Sequence, residues 1–261
     1  MEREVFIYAC VLFAVLGLCV GSFLNVVIYR LPNGMSLSKP SSHCTNCDYS
    51  LRWYDNIPVL SYIMLGGKCR KCKQKISPRY MIVEIVNCLL WLICALLFAR
   101  EHLVYAICVA ILCSTLICVF FIDLEHMLIY DRFQLIILCL GVVAIFFSPN
   151  ALWYNHLIGG LVGGGVFLLL YYGAIWILKK EGLGFGDVKL AFVTGLFLGW
   201  QKFLLSMIIA SISACIVLLI IKSVKKDEDG KEYPFGPFIA VGVLIATFVG
   251  DPLITFYLGL F

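Results

Sequence analysis

Residues Leu103 to Asp123 read LVYAICVAILCSTLICVFFID. This is an uncharged run of about the 20 residues that a helix needs to cross a bilayer's hydrocarbon core, closed by a carboxylate. Further apolar runs lie at Val5 to Ile28, Tyr80 to Ala99, Phe133 to Phe147, His156 to Leu178, Val188 to Trp200, Phe203 to Ile221 and Phe238 to Phe261. The 261 residues are 62% hydrophobic and 14% charged, against about 25% charged in a soluble domain. The fold class expected is all-α, a polytopic membrane bundle of about eight transmembrane helices. Val188 to Trp200 falls short of the roughly 17 residues that mark the lower limit of a span.

Lys and Arg concentrate on the cytoplasmic side in short loops. With 29–79 placed inside, alternation also puts 122–132, 179–189 and 222–237 inside, and these segments hold 17 of the 20 basic residues. Only Arg3, Arg100 and Lys202 fall outside. The tally works only if the short sixth run is a true span, and it turns both termini outward. The first run begins with Glu2, Arg3 and Glu4 and lacks a small-residue cleavage site, so it is expected to be a retained helix rather than a signal peptide. The net charge of +4 follows from this topology, and no nucleic-acid partner is expected.

Three regions are expected: 1–30 as the first helix, 31–79 as a polar cytoplasmic domain and 80–261 as a seven-helix membrane region. The polar domain carries Cys44-Thr45-Asn46-Cys47 and Cys69-Arg70-Lys71-Cys72. A module this small needs a staple. Two converging CxxC turns supply four soft ligands for tetrahedral zinc, whereas a reducing cytoplasm disfavours disulfides. Four thiolates leave no open position, so the Zn2+ is read as structural, with Cys44, Cys47, Cys69 and Cys72 as ligands and His43 as a surface neighbour. The remaining cysteines lie in apolar runs, where cysteine acts as a small hydrophobe. Gly159-Gly160 and Gly163-Gly164-Gly165 permit close helix contact. The charged stretch from Lys222 to Tyr233 reads as a solvated loop.

Asp123 follows the third run, and Asp187, in Gly182-Leu183-Gly184-Phe185-Gly186-Asp187, precedes the sixth. An ionisable group near lipid is a functional-site candidate. The topology puts both at cytoplasmic helix ends, where they can meet. Two close carboxylates resist double ionisation and share a proton, the arrangement of an aspartic protease. A helix N-terminus favours charge on Asp187 and a C-terminus disfavours it on Asp123, so Asp187 is expected to be the base and Asp123 the acid. The competing readings are helix capping by Asp187 or Asp131 and a transporter using the two carboxylates for coupling. A protease needs both groups at one hydrated centre; a transporter needs an alternating path. Asp131 is the rival partner for Asp187, His126 is a weaker rival group near Asp123, and Lys189 is not read as catalytic.

Several motifs together extend this reading: Gly21-Ser22-Phe23-Leu24-Asn25-Val26-Val27-Ile28-Tyr29-Arg30-Leu31-Pro32, the paired-cysteine domain with Trp53-Tyr54-Asp55-Asn56-Ile57-Pro58, Ser77-Pro78-Arg79-Tyr80, Val83-Glu84 and Phe235-Gly236-Pro237-Phe238. In these the chain resembles the bacterial type IV prepilin leader peptidase/N-methyltransferase family of intramembrane aspartic proteases over almost its whole length. The resemblance aligns the family's catalytic aspartates with Asp123 and Asp187. It implies cleavage of the basic leader from type IV prepilins or pseudopilins, followed by methylation of the new amino terminus from S-adenosylmethionine. It also implies a multi-pass protein of the plasma (inner) membrane, in contact with lipid, with the zinc domain and the aspartates cytoplasmic.

Thr45 and Tyr130 replace prolines common in the family, and neither change removes a carboxylate or a metal ligand. No dinucleotide-type glycine loop marks a Rossmann unit. The residues read as candidates for the S-adenosylmethionine site are Glu84, facing a cationic sulfonium or a substrate amine, and Arg79, facing a carboxylate. Asn25 is read first as an interhelical hydrogen-bonder, and Trp53 and Tyr54 as interface anchors for the polar domain.

Overall fold

The computed structural model describes residues 2–149, 152–179, 183–224 and 233–259. The charged stretch at 225–232 and Gly182 lie outside the described residues. Helices form over every apolar run: α1 (Arg3–Arg30), α3 (Arg79–Cys94, extended by a π turn Ala95–Ala99), α4 (Leu103–His126), α5 (Asp131–Phe147), α6 (Trp153–Leu178), α7 (Phe185–Leu198), α8 (Trp200–Val224) and α9 (Gly236–Leu258), with a short α2 (Leu60–Met64) in the polar domain. Among the described residues, α1, α3 with its π turn, α4, α6, α8 and α9 are long and apolar enough to cross a membrane. The chain divides into two compact units, Met1–Cys118 and Val119–Phe261.

In the first unit α1 packs along α3. The contact is close because Gly17 and Gly21 lack side chains: a Cβ on Gly17 would stand 2.9 Å from the Cys88 Cα, and one on Gly21 2.9 Å from the Glu84 Cα. Asn87 then donates to the Gly17 carbonyl at 2.7 Å, Ser114 donates to Asn87 Oδ1 at 2.8 Å, and the Trp91 indole donates to Ser114 at 2.8 Å. In an apolar setting an unpaired amide is costly, so this buried chain of bonds fixes the register of α1, α3 and α4.

In the second unit α7 packs against α5, α6, α8 and α9. It has 14 residues, about 21 Å at the helical rise of 1.5 Å per residue, less than the ~30 Å of a hydrocarbon core. Apart from Asp187 and Lys189 near its start it is apolar on every face and most of it is buried, as expected of a helix enclosed by other helices rather than by lipid. Gly159 and Gly163 of α6 meet the α7 carbonyls of Gly195 and Ala191 so closely that a Cβ at either position would collide with main chain. The outer faces of α6 and α8 carry exposed Leu161, Leu169, Trp176, Ile208 and Ile212, the surface that lipid would cover.

Candidate functional site

α4 ends when Met127 takes a left-handed backbone (φ 53°), and Asp123 lies in its last turn. Asp187 is the third residue of α7, after the N-cap Gly184. Both carboxylates are buried, Asp123 at 5% and Asp187 at 7% exposure, and they lie within electrostatic reach of each other. Each is held by one main-chain donor at the start of a helix: the Gly236 N–H of α9 donates to Asp123, and the Gly184 N–H to Asp187. Each also keeps one buried oxygen without a protein partner, Asp123 Oδ2 and Asp187 Oδ1.

This geometry corrects two sequence expectations. Asp187 is not an N-cap; it reaches back from the third position to the N-cap N–H, as the acid of a capping box does. The dipole asymmetry between the carboxylates also disappears, because Asp123 stands at the end of α4 and against the start of α9 together. The glycines beside Asp187 serve space rather than unusual backbone. Gly184 has φ −70°, and a Cβ there would lie 3.2 Å from Asp187 Oδ2, while one on Gly186 would lie 3.2 Å from the Ile129 Cβ.

Asp131 is the first residue of α5, not its cap, and it forms an exposed ion pair with Lys189 at 2.7 Å. Lys189 is thereby occupied away from the buried pair. His126 closes α4 on the exposed side. One contributor escaped the sequence reading: Gln134, 5% exposed, donates to the Gly186 carbonyl at 3.1 Å and pins the turn that carries Asp187. Its only signal was an amide inside the apolar run of α5. Beside this turn a groove of about 810 Å³ runs between α5, α6 and α7, bordered by Asp131, Lys189 and the glycines 160, 164 and 165.

The sulfur atoms of Cys44, Cys47, Cys69 and Cys72 all lie within 4.8 Å of one another. The two knuckles are built alike. The Cys44 N–H bonds to Tyr49 and that of Cys69 to Gln74, and the residue after each second cysteine, Asp48 or Lys73, is left-handed. Cys44 and Cys72 are 3.8 Å apart and Cys47 and Cys69 4.0 Å apart. Those are near the ~3.8 Å edge of a tetrahedron with metal–sulfur bonds of about 2.3 Å, and far from a disulfide's ~2.05 Å. Backbone and Asn46 hydrogen bonds hold the Cys72 thiol down to about 6. At Cys47 a backbone hydrogen bond is outweighed by burial and the three neighbouring sulfurs, which push the thiol up to about 11, so a metal would have to draw that proton off. Asp55, whose side chain is fully covered, takes both Arg70 Nε and a terminal nitrogen at 2.9 and 2.8 Å and ties the second knuckle to the turn Trp53–Asn56. His43 turns to the Ser41 carbonyl and is not part of the cluster.

A pocket of about 830 Å³ in the first unit is lined by Asn25, Glu84, Arg79 and Tyr80, among others, together with residues of the polar domain. Glu84 accepts the Val59 N–H at 2.7 Å. The Asn25 amide donates to the Tyr80 carbonyl at 3.0 Å, the interhelical role expected of it. Trp53 is 80% exposed, and neither it nor Tyr54 lines this pocket.

Two family models match the chain, the bacterial peptidase A24 N-terminal domain over residues 15–98 and the type IV leader peptidase family over residues 110–220. The chain is 34% identical over 272 residues to a prepilin leader peptidase/N-methyltransferase of Pseudomonas putida, covering 94% of this chain and 92% of the relative. The protein of that name in Pseudomonas aeruginosa is 34% identical over 270 residues, covering 93% and 91%. A type 4 prepilin-like proteins leader peptide-processing enzyme of Escherichia coli is 35% identical over 254 residues, covering 89% and 91%. No solved structure matches the chain.

Proposed function

The chain belongs to the prepilin leader peptidase/N-methyltransferase family, and from that premise we propose that Asp123 and Asp187 together hydrolyse the peptide bond that joins a basic leader to a type IV prepilin or pseudopilin. The observation that carries the reading is the pair of buried carboxylates, each oriented by a helix-start N–H and each left with one oxygen unpartnered. Two carboxylates in electrostatic reach retain one proton between them. The ionised member takes a proton from water, the protonated member donates to the scissile carbonyl, and the water oxygen attacks its carbon to give a tetrahedral diol. The newly protonated member then gives its proton to the peptide nitrogen, the other takes back a hydroxyl proton, and the C–N bond breaks. Main-chain donors on both sides leave the shared proton unassigned to either residue. The groove beside Asp187, apolar apart from its rim, suits the apolar pilin segment that follows the leader. With the short α7 counted as a span enclosed by its neighbours, the distribution of Lys and Arg supports a cytoplasmic position for the aspartates and the zinc domain in a multi-pass inner-membrane enzyme.

The second activity is methylation of the new amino terminus. S-adenosylmethionine, when bound, supplies an electrophilic methyl group. Glu84 and Arg79, both lining the pocket of the first unit, would hold it, the carboxylate against positive charge and the guanidinium against the cofactor's carboxylate. The four cysteines would hold Zn2+ as a structural ion.

One time course with labelled S-adenosylmethionine and a matched prepilin tests both reactions. Leader loss followed by label on the mature chain is the expected result. No cleavage overturns the peptidase reading; cleavage without label leaves a peptidase alone.

A further inference from the structure

Asn25 is 2% exposed, and its amide nitrogen is fixed by the Gly21 carbonyl at 3.3 Å and the Tyr80 carbonyl at 3.0 Å. That orientation leaves Asn25 Oδ1 buried with no donor from the protein. A buried acceptor left without a donor forfeits its hydration with nothing in return, so its persistence calls for an outside donor. Glu84, 8% exposed, accepts the Val59 N–H at 2.7 Å and the Ser22 hydroxyl. Among the described residues it is in no ion pair. Asn25 and Glu84 stand on the seam where α1 and α3 approach at Gly21, and both line the 830 Å³ pocket.

Val59 adds an independent sign. It is β-branched, yet it takes φ 62° and ψ −50°, a conformation such residues avoid. Strain of this kind collects at ligand clamps. Here the strained N–H is held by Glu84, so this carboxylate both borders the pocket and fastens the turn that opens α2.

A sulfonium has no hydrogen to give Asn25, whereas a primary ammonium has three. The geometry points to an ammonium-binding site in this pocket, with Asn25 Oδ1 and the Glu84 carboxylate as its acceptors. The site rests on the methyl-transfer reading above and deepens it. The ammonium belongs either to the amino-acid end of the methyl donor or to the freshly exposed peptide terminus, and the chemistry of recognition is the same.

Equilibrium binding to the purified full chain in lipid nanodiscs tests this with two matched pairs: S-adenosylhomocysteine against its N-acetyl derivative, which keeps the carboxylate that Arg79 would hold, and a mature pilin peptide against its N-acetylated form. The amine-bearing member of at least one pair is expected to bind about tenfold tighter or more, because a site built to hydrogen-bond a group rejects the analogue lacking it. Asn25→Leu and Glu84→Gln should each erase most of that preference, and the pair affected identifies the source. Binding of the amine should also slow hydrogen exchange at Val59 and α2. Equal binding within both pairs, or full preference in both variants, overturns the site. Should a variant fail to fold, as judged by zinc content, the comparison on the unmodified protein still decides. Intact methyl transfer without any amine preference sinks this site alone, whereas absent transfer with robust cleavage sinks the methylation reading.

Discussion

Asp123, in the last turn of α4, accepts the backbone N–H of Gly236, the first residue of α9. The start of a helix has N–H groups with no internal partner, and here one of them holds a buried carboxylate in place. Gly184 does the same for Asp187 at the start of α7. The pair is therefore aimed by main chain on both sides, which restricts rotation of each carboxyl and leaves the free oxygens for water and substrate.

Asp123→Asn and Asp187→Asn are each expected to reduce leader cleavage by about a thousandfold or more, the scale on which paired catalytic groups act as a unit. Asp131→Asn should stay within a few-fold, because its exposed pair with Lys189 is worth about 1 kcal/mol or less. Turnover of a purified prepilin measures all three. Full activity in Asp123→Asn with loss in Asp131→Asn would reverse the assignment.

Gly236→Ala tests how closely the main chain approaches the acid. A Cβ at that position would lie 2.5 Å from Asp123 Oδ2. Either the carboxyl or the start of α9 must shift, and a displacement of ~1 Å at a catalytic group costs about a hundredfold in rate. Gly184→Ala, with its Cβ 3.2 Å from Asp187 Oδ2, should cost less. Cleavage rates read beside the melting temperature of each variant separate positional damage from unfolding.

Gln134→Leu removes the donor to the Gly186 carbonyl while keeping the side-chain volume. The expected result is a lower kcat with little change in KM, the signature of a group that positions Asp187 rather than binds substrate. An unchanged kcat would mean that the turn is held by its packing on Ile129 alone.

The α6–α7 contact should be intolerant of added volume. Gly195→Ala puts a methyl against the Gly159 carbonyl, a main-chain group that cannot step aside. A cost of about 1–3 kcal/mol is expected from overpacking, read as a fall in the melting temperature in detergent. Gly173→Ala meets nothing within 4 Å and should be neutral or stabilising, since alanine favours a helix by about 1 kcal/mol over glycine.

Asp55 gives a pH signature. Burial alone pushes its carboxyl up, but hydrogen bonds from Arg70 and the Arg52 N–H, with the Arg70 charge, outweigh this and hold it below the ordinary 3.8. A carboxyl held lower in the folded than in the unfolded chain stabilises the fold above its unfolded value, and that contribution is lost as pH falls through the folded value. The difference in urea stability between the unmodified protein and Asp55→Asn should therefore be full at about pH 6 and shrink below about pH 4. A difference that stayed constant over this range would show that the ion pair does not carry it.

The chain alone determined the number and approximate ends of its long helices and the pairing of its cysteines, because hydropathy and CxxC spacing are local signals carried by neighbouring residues. It also exposed Asp123 and Asp187, since a carboxylate at the edge of an apolar run stands out wherever the chain goes. The tertiary structure alone decided which groups meet them. The N–H of Gly236, the amide of Gln134, the pairing of Lys189 with Asp131 and the unpartnered oxygen of Asn25 all depend on contacts between distant segments. The expectation of opposite helix dipoles at the two acids failed for the same reason. It counted only the helix each residue belongs to, and the start of α9 arrives at Asp123 from elsewhere in the fold.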